Sequence, residues 1–152
     1  IFNNITLFND NISESQVWDS IDQVGARRFI EALPNKLNFN VKERGASLSV
    51  GQRQLISCIR IMLYDPKIIL LDEATSSVDS ETESMIQSAI SKILKNRTSI
   101  VVAHRLSTIK EVDNIIVLEN GEIKEIGDHN SLNKSGGYYR RLYEMQNKNI
   151  LT

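Results

Sequence analysis

Two adjacent acidic residues, Asp72 and Glu73, follow directly after an apolar stretch that begins at Ile68. A continuous branched run predicts a strand buried on both faces, so the acids would lie at the mouth of a sheet, where an unpaired carboxylate is costly. Hard oxygen ligands suit Mg²⁺, and phosphates complete its shell, so Asp72 is a candidate metal ligand. Glu73 would then lie beside the metal and orient or deprotonate a water. The alternative is that both acids only begin a helix, whose positive end attracts them.

A second candidate site lies at the start of a predicted helix, in the run Leu48-Ser-Val-Gly-Gln52. The Ser49 hydroxyl, the Gly51 amide and the unpaired N–H groups of the first helical turn would together form an anion site. The alternative is that Ser49 is only an N-cap, a role that serine commonly fills.

Two histidines and one cysteine complete the residues that could do chemistry. His104 closes the predicted strand over residues 98–103, and it would share the sheet edge with the two acids, so it is a functional candidate. His129 follows a predicted hairpin and is interpreted as structural. Cys58 lies within the predicted helix and is interpreted as a packing residue, without catalytic partners in the pattern.

Hydrophobic spacing predicts the elements that must position these residues. Helices are expected over residues 13–24, 26–33, 51–64, 80–94 and 106–112, with a last helical stretch after Asp128 that is interrupted at Gly136-Gly137. Strands are expected over 67–71, 98–103, 115–118 and 122–126, the last two flanking Asn120-Gly121, a strong hairpin signal. Residues 1–12 are interpreted as loop with a short apolar turn at Ile5 and Leu7, and residues 36–47 as loop or irregular strand. Alternating strands and helices predict an α/β fold with a parallel sheet core and an antiparallel β-hairpin at its edge.

Composition narrows the function class. The chain has 152 residues, 18 basic and 19 acidic, with a formal net charge of −1, so bulk electrostatics give no reason to expect nucleic-acid binding. No apolar stretch approaches the roughly 20 residues that a spanning helix needs, so no direct membrane insertion by this segment is expected. No secretory signal is visible, and one cysteine excludes an internal disulfide framework.

Four ordered motifs together resemble the ATP-binding cassette (ABC) transporter family. They are similar to its signature sequence (Leu48-Ser-Val-Gly-Gln-Arg-Gln54), its Walker B segment with the catalytic glutamate (Ile68-Ile-Leu-Leu-Asp-Glu-Ala-Thr75), its D-loop (Ser76-Ser-Val-Asp79) and its switch histidine (Ala103-His-Arg-Leu-Ser107). Lys42-Glu-Arg-Gly45, before the signature, resembles the exporter branch. Val50 stands where the commonest signature has glycine.

The resemblance implies a role for each candidate residue in ATP hydrolysis. Asp72 would help to hold Mg²⁺, Glu73 would polarise the attacking water, and His104 would contact the γ-phosphate of ATP. Asp79 would support the facing site across a dimer of two nucleotide-binding domains. The residues that would close over the ATP of the partner domain lie at the start of the signature helix: Ser49, Val50, Gly51 and Gln52.

The phosphate loop of the family, Gly-x-x-x-x-Gly-Lys-[Ser/Thr], does not occur in the 152 residues. By the resemblance, the aromatic residue that stacks on adenine and the glutamine of the metal-coupled loop (Q-loop) would also lie upstream of Ile1. The resemblance therefore implies the C-terminal part of a P-loop NTPase (ABC ATPase) fold, with a helical signature subdomain over residues 1–66 and the second half of the ATPase core over 67–152. The implied partners are a second nucleotide-binding domain and a transmembrane domain, at the cytoplasmic face of the cell membrane. The fragment alone is expected to be catalytically incompetent. Two other interpretations remain open, a non-enzymatic interaction fragment and the head domain of an ABC-type DNA-repair or chromosome ATPase.

Overall fold

The computed structural model describes residues 1–72, 78–102, 110 and 112–149. Its helices and strands follow one another in this order: α1 (Phe2–Thr6), α2 (Glu14–Val24), α3 (Arg27–Ala32), α4 (Val50–Tyr64), β1 (Ile68–Asp72), α5 (Ser80–Leu94), β2 (Thr98–Val102), β3 (Ile115–Glu119), β4 (Glu122–Gly127), α6 (His129–Ser135) and α7 (Tyr138–Asn149). Short 3₁₀ turns occupy Lys36–Asn38 and Glu43–Gly45, in the segment interpreted as loop or irregular strand, and no strand forms there. The chain divides into two compact units, Ile1–Ile100 and Val101–Thr152. The subdomain boundary between residues 66 and 67 stays a prediction.

The core of the first unit is built where α1, α2 and α5 pack against α4. Helix α2 begins at a capping box, in which Ser13 and Gln16 satisfy each other's backbone N–H groups, as their spacing predicts. Apolar residues at helical spacing on each of these elements face inward. The largest fully buried side chains of the core are Ile5, Val17, Ile21, Ile30, Leu55 and Ile59.

Helix α1 lies where loop structure was predicted, so that prediction was wrong. Ile1 and Ile5, one helical turn apart, are buried in the core. Two side chains of α4 hold the backbone of α1: Arg60 donates to the Asn4 carbonyl at 2.7 Å, and the Tyr64 hydroxyl donates to the Thr6 carbonyl at 2.5 Å. A five-residue helix is marginal alone, so these distant contacts stabilise a segment whose local sequence reads as loop.

Strands β1 and β2 are hydrogen-bonded neighbours. The Thr98 N–H donates to the Lys67 carbonyl at 3.3 Å, which places both strand beginnings at one end, as parallel strands require. The carboxyl ends of β1 and β2 therefore share an edge. Burial on both faces of β1, however, is not observed: Ile69 is buried, whereas Ile68 and Leu70 are 66% and 77% exposed.

The second unit contains the predicted hairpin. Strands β3 and β4 pair antiparallel around Asn120-Gly121, with an irregularity between Val117 and Leu118. Asp128 caps α6 by accepting from the Asn130 and Ser131 N–H groups, and its pKa lies below its ordinary value because the Ser131 N–H bonds its carboxylate. A small core joins the hairpin to both helices through Val117, Leu132 and Tyr139.

The structure agrees with the structural role predicted for His129 and with the packing role predicted for Cys58. His129 Nδ1 lies 2.6 Å from the Tyr139 hydroxyl, and its ring packs on Tyr139 and Tyr143. Cys58 is buried in the first core, and desolvation raises its thiol pKa to about 11. Among the described residues, every helix is too short or too polar to cross a bilayer.

Candidate functional site

The start of α4 is closed by a capping box that Ser49 and Gln52 form. The Gln52 N–H donates to Ser49 Oγ at 3.2 Å, and the Ser49 N–H donates to Gln52 Oε1 at 3.0 Å. The cap predicted as the alternative function of Ser49 is therefore present.

Capping does not use up the hydrogen-bonding capacity of this turn. Neither the Val50 N–H nor the Gly51 N–H meets an acceptor in the described part of the chain. The Ser49 hydroxyl still carries its O–H, and the Gln52 side chain keeps its amide N–H groups as donors. The first turn of this 15-residue helix thus presents donors at its positive end. The cap and an anion site are compatible in the same residues.

Gly51 marks a close approach between the starts of two helices. A Cβ built on Gly51 would lie 2.5 Å from Thr82 Cγ2 and 2.7 Å from Val78 Cγ1, distances that real Cβ atoms essentially never show. Thr82 belongs to the first turn of α5, and Val78 directly precedes its N-cap, Asp79. Only a residue without a side chain fits at position 51 with these neighbours in place.

Asp79 caps α5 by accepting from the Thr82 N–H at 2.9 Å. This backbone hydrogen bond is the largest cause of an Asp79 pKa below the ordinary 3.8, because it stabilises the ionised carboxylate. The sequence pattern predicts the helix start at Ser80, but it does not indicate Thr82 or Val78 as neighbours of Gly51. The small residue required at 51 was the available signal, but it does not indicate which side chains lie opposite.

The structure brings the start of the signature helix α4 and the start of α5 together. Asp72 also belongs to the first unit, but it is not part of this contact. The Asp72 side chain is exposed at the carboxyl end of β1. Among the described residues, no three of His, Cys, Asp and Glu converge on a metal position. Glu73 and His104 lie outside the described residues. The shared carboxyl edge of β1 and β2 can be followed only as far as Asp72 and Val102.

Comparison with known proteins identifies the family. The sequence profile described as "ABC transporter" matches residues 1–76. The chain belongs to the ABC transporter family. It is 44% identical over 146 residues, 96% of this chain and 22% of the relative, to the probable multidrug resistance ABC transporter ATP-binding/permease protein YheH of Bacillus subtilis. It is also 44% identical to the ATP-dependent lipid A-core flippase of Shewanella oneidensis, covering 93% of this chain and 26% of that protein.

The fold agrees with the family. The solved structure of a bacterial Atm1-family ABC exporter with ATP bound superposes with a TM-score of 0.81 at 36% identity, covering 95% of this chain and 25% of that one. The fold is therefore that of the C-terminal part of an ABC exporter nucleotide-binding domain, as the motifs predicted. The chain spans about a quarter of the length of these relatives.

Proposed function

We propose that this chain is part of the nucleotide-binding domain of an ABC exporter and that the start of α4 closes over the ATP of a partner domain. The observation that carries the proposal is the turn in which Ser49 and Gln52 cap each other while the N–H groups of Val50 and Gly51 meet no acceptor in the described part of the chain. A γ-phosphate supplies the oxygen acceptors that such donors need, and charge-assisted hydrogen bonds of this kind contribute about 1.5–3 kcal/mol each.

The remaining roles follow from the family motifs. Asp79 would support the facing site across the dimer, Glu73 would polarise the attacking water, and His104 would contact the γ-phosphate. The carboxylate of Asp72 is a hard oxygen donor at an exposed strand end, so it fits Mg²⁺ together with phosphate and water oxygens. Mg²⁺ bound there would neutralise charge on the transferred phosphoryl group.

The partners and place of the complete protein are inferred in the same way. The printed name of the Bacillus subtilis relative joins an ATP-binding part and a permease. We infer that this chain works with a transmembrane domain and a second nucleotide-binding domain at the cytoplasmic face of a membrane. ATP holds the two nucleotide-binding domains together, and hydrolysis releases them, because the contacts to the γ-phosphate exist only in the triphosphate state.

The isolated 152-residue chain is proposed to be inactive. Its sequence contains no phosphate loop, so the acidic residues and the histidine have no anchored triphosphate on which to act. Calorimetric titration with Mg²⁺-ATP should show no tight binding, and micromolar affinity for this chain alone would contradict the proposal.

Two substitutions in the complete transporter test the assigned roles. Glu73→Gln keeps the side-chain size but removes the carboxylate, so ATP-dependent dimer closure should survive while turnover falls by roughly 10²–10⁴-fold. Ser49→Arg places a bulky side chain at the donor turn, so ATP should still bind each domain but closure should fail. The conservative variant Ser49→Thr keeps the hydroxyl and is the matched control. ATPase rate and ATP-dependent dimerisation are measured for all three variants. Near-normal turnover in Glu73→Gln, or closed dimers in Ser49→Arg, would overturn the corresponding role.

A further inference from the structure

Helices α4 and α5 are in contact at both of their ends. Each has 15 residues, about 22 Å in length, and the two helices pack against each other. At their beginnings, Gly51 of α4 lies against Val78 and Thr82. At their far ends, Arg97, which follows α5, bonds Asp65, the residue that caps the end of α4. The two helices are therefore parallel, and the far-end contact between Arg97 and Asp65 is separate from the contact at Gly51.

Arg97 joins the two helix ends through three hydrogen bonds. Its Nε and Nη2 donate to Asp65 Oδ1 at 3.0 and 2.6 Å, and its Nη1 donates to the Ile93 carbonyl of α5 at 2.5 Å. The Arg97 side chain is 15% exposed, whereas that of Asp65 is 76% exposed. An ion pair with one exposed partner contributes little to stability. The planar guanidinium, fixed on α5, therefore acts on the end of α4 mainly by fixing its position.

The end of α4 has an unfavourable backbone conformation that needs such support. Asp65 has φ 43° and ψ 57°, in the left-handed region, and it precedes Pro66, which disfavours helical conformations at the residue before it. The Asp65 N–H bonds the Ile61 carbonyl at 3.0 Å, and Arg97 bonds its carboxylate. A non-glycine residue persists in this region where the surrounding structure over-determines its conformation. The far-end contact therefore lies at a point where the path of the chain is strictly defined.

The elements that meet at Arg97 carry the residues assigned to ATP at their opposite ends. Helix α4 begins at the signature turn, and Asp79 caps the beginning of α5. Strand β1 begins shortly after Asp65 and ends at Asp72, and β2 begins directly after Arg97. A displacement of α4 by one residue along its axis would move the signature turn by about 1.5 Å. The position of the signature turn relative to Asp79 thus depends on what holds the far end of α4.

We propose that Arg97 is a positioning residue for the ATPase reaction. Its bonds to Asp65 fix α4 lengthwise against α5, so that the signature turn and Asp79 reach the ATP of the partner domain in one geometry. This inference rests on the function proposed above. A misplacement of about 1 Å can lower a rate by up to roughly 10²-fold, so loosening the far-end contact lowers turnover although no group that touches ATP is removed. Binding of ATP to each separate domain is unaffected.

Steady-state ATPase kinetics of the complete transporter test the role. Asp65→Gly removes the carboxylate but suits φ 43°, so α4 should still end at this residue. Arg97→Lys keeps the charge but lacks the planar fork that reaches both Asp65 and the Ile93 carbonyl. We expect each variant to lower kcat by about tenfold with little change in the KM for ATP, the result of losing geometry needed only in the transition state. The double variant should lose no more than either single one, because both remove the same contact.

The matched control is Lys95→Gln, which removes an exposed cation two residues before Arg97 and should leave kcat unchanged. All variants are assayed well below their Tm, so that unfolding does not lower the measured rate. Unchanged kcat in both Asp65→Gly and Arg97→Lys, a change in KM alone, or an equal loss in Lys95→Gln would overturn the positioning role.

A second measurement, on the 152-residue chain, does not depend on the assigned function. If the far-end contact fixes α4 lengthwise, its removal lets α4 move away from Thr82 when a methyl group is added at position 51. Gly51→Ala should then lower Tm by only about half as much in the Asp65→Gly background as in the wild type. Equal losses in the two backgrounds would overturn the inference. Failure of the proposed function is recognised separately, by near-normal turnover in Glu73→Gln.

Discussion

Replacing Gly51 by alanine tests whether the start of α4 is positioned by contact with the start of α5. The added methyl group would lie within 2.7 Å of both Thr82 Cγ2 and Val78 Cγ1. Thr and Val are restricted at χ1, so neither methyl can turn away as the end of a long side chain would. The helices must therefore move apart or the side chains must leave their preferred rotamers.

Two opposing contributions determine how much Gly51→Ala changes the free energy of unfolding. Overpacking of this kind costs typically 1–3 kcal/mol, and two close contacts favour the upper end of that range. Alanine gains about 1 kcal/mol over glycine in intrinsic helix propensity. The net expectation is a loss of about 2 kcal/mol in the free energy of unfolding, which lowers Tm by roughly 4–8 °C for a chain of this size.

A double-mutant cycle isolates the contact. Thr82→Ser removes Cγ2, the nearer of the two atoms, so Gly51→Ala should be less destabilising in the Thr82→Ser background. Unfolding in urea can be followed by the fluorescence of the single tryptophan, Trp18, on α2. Val50→Ala, in the same turn but 42% exposed, is the matched control and should change stability little. Additive effects of Gly51→Ala and Thr82→Ser would refute steric contact as the reason for glycine at this position.

Three further predictions concern other residues of the first unit. Lys42→Gly should raise the free energy of unfolding by about 1 kcal/mol, because relief of roughly 1–3 kcal/mol of backbone strain exceeds the entropy cost of glycine. Chemical denaturation measures this change in the free energy of unfolding. Cys58 should react with a thiol reagent at pH 7.5 far more slowly in the native chain than in urea, because burial raises its pKa to about 11. The difference in unfolding free energy between wild type and Asp79→Ala should be constant above pH 5 and should shrink as the pH falls through the lowered pKa of Asp79. The reason is that the folded-state pKa of Asp79 lies below the ordinary 3.8. Thermal unfolding at several pH values tests this prediction.

Local patterns predicted well those elements whose stabilisation is local. The capping box of α2, the Ser49 cap of α4 and the Asn120-Gly121 hairpin each depend on residues a few positions apart, and the structure contains all three. Helix α1 was missed because distant side chains, those of Arg60 and Tyr64, hold its backbone. The spacing of residues along the chain does not predict contacts between residues that are far apart in sequence.

The candidate site also combines features that nearby residues determine with features that distant contacts determine. The residue types of the signature turn predicted both a cap and an anion site, and the structure shows that the cap leaves donors available. The partners of Gly51 could not be predicted, because Val78 and Thr82 follow it by about thirty positions and meet it only after α4 and α5 pack.

The prediction that both faces of β1 are buried was wrong, because apolar side chains of β1 and β2 remain exposed in the structure. Ile68 and Leu70 are exposed, and so are Ile100 and Val102 of β2, by 55–77%. Burying such a side chain fully is worth about 1.5–3 kcal/mol, and contiguous exposed apolar surface typically marks an interface. Among the described residues the core covers Ile69 and part of Leu71, which lie on one face of β1, so the continuous apolar run predicted more burial than these residues provide.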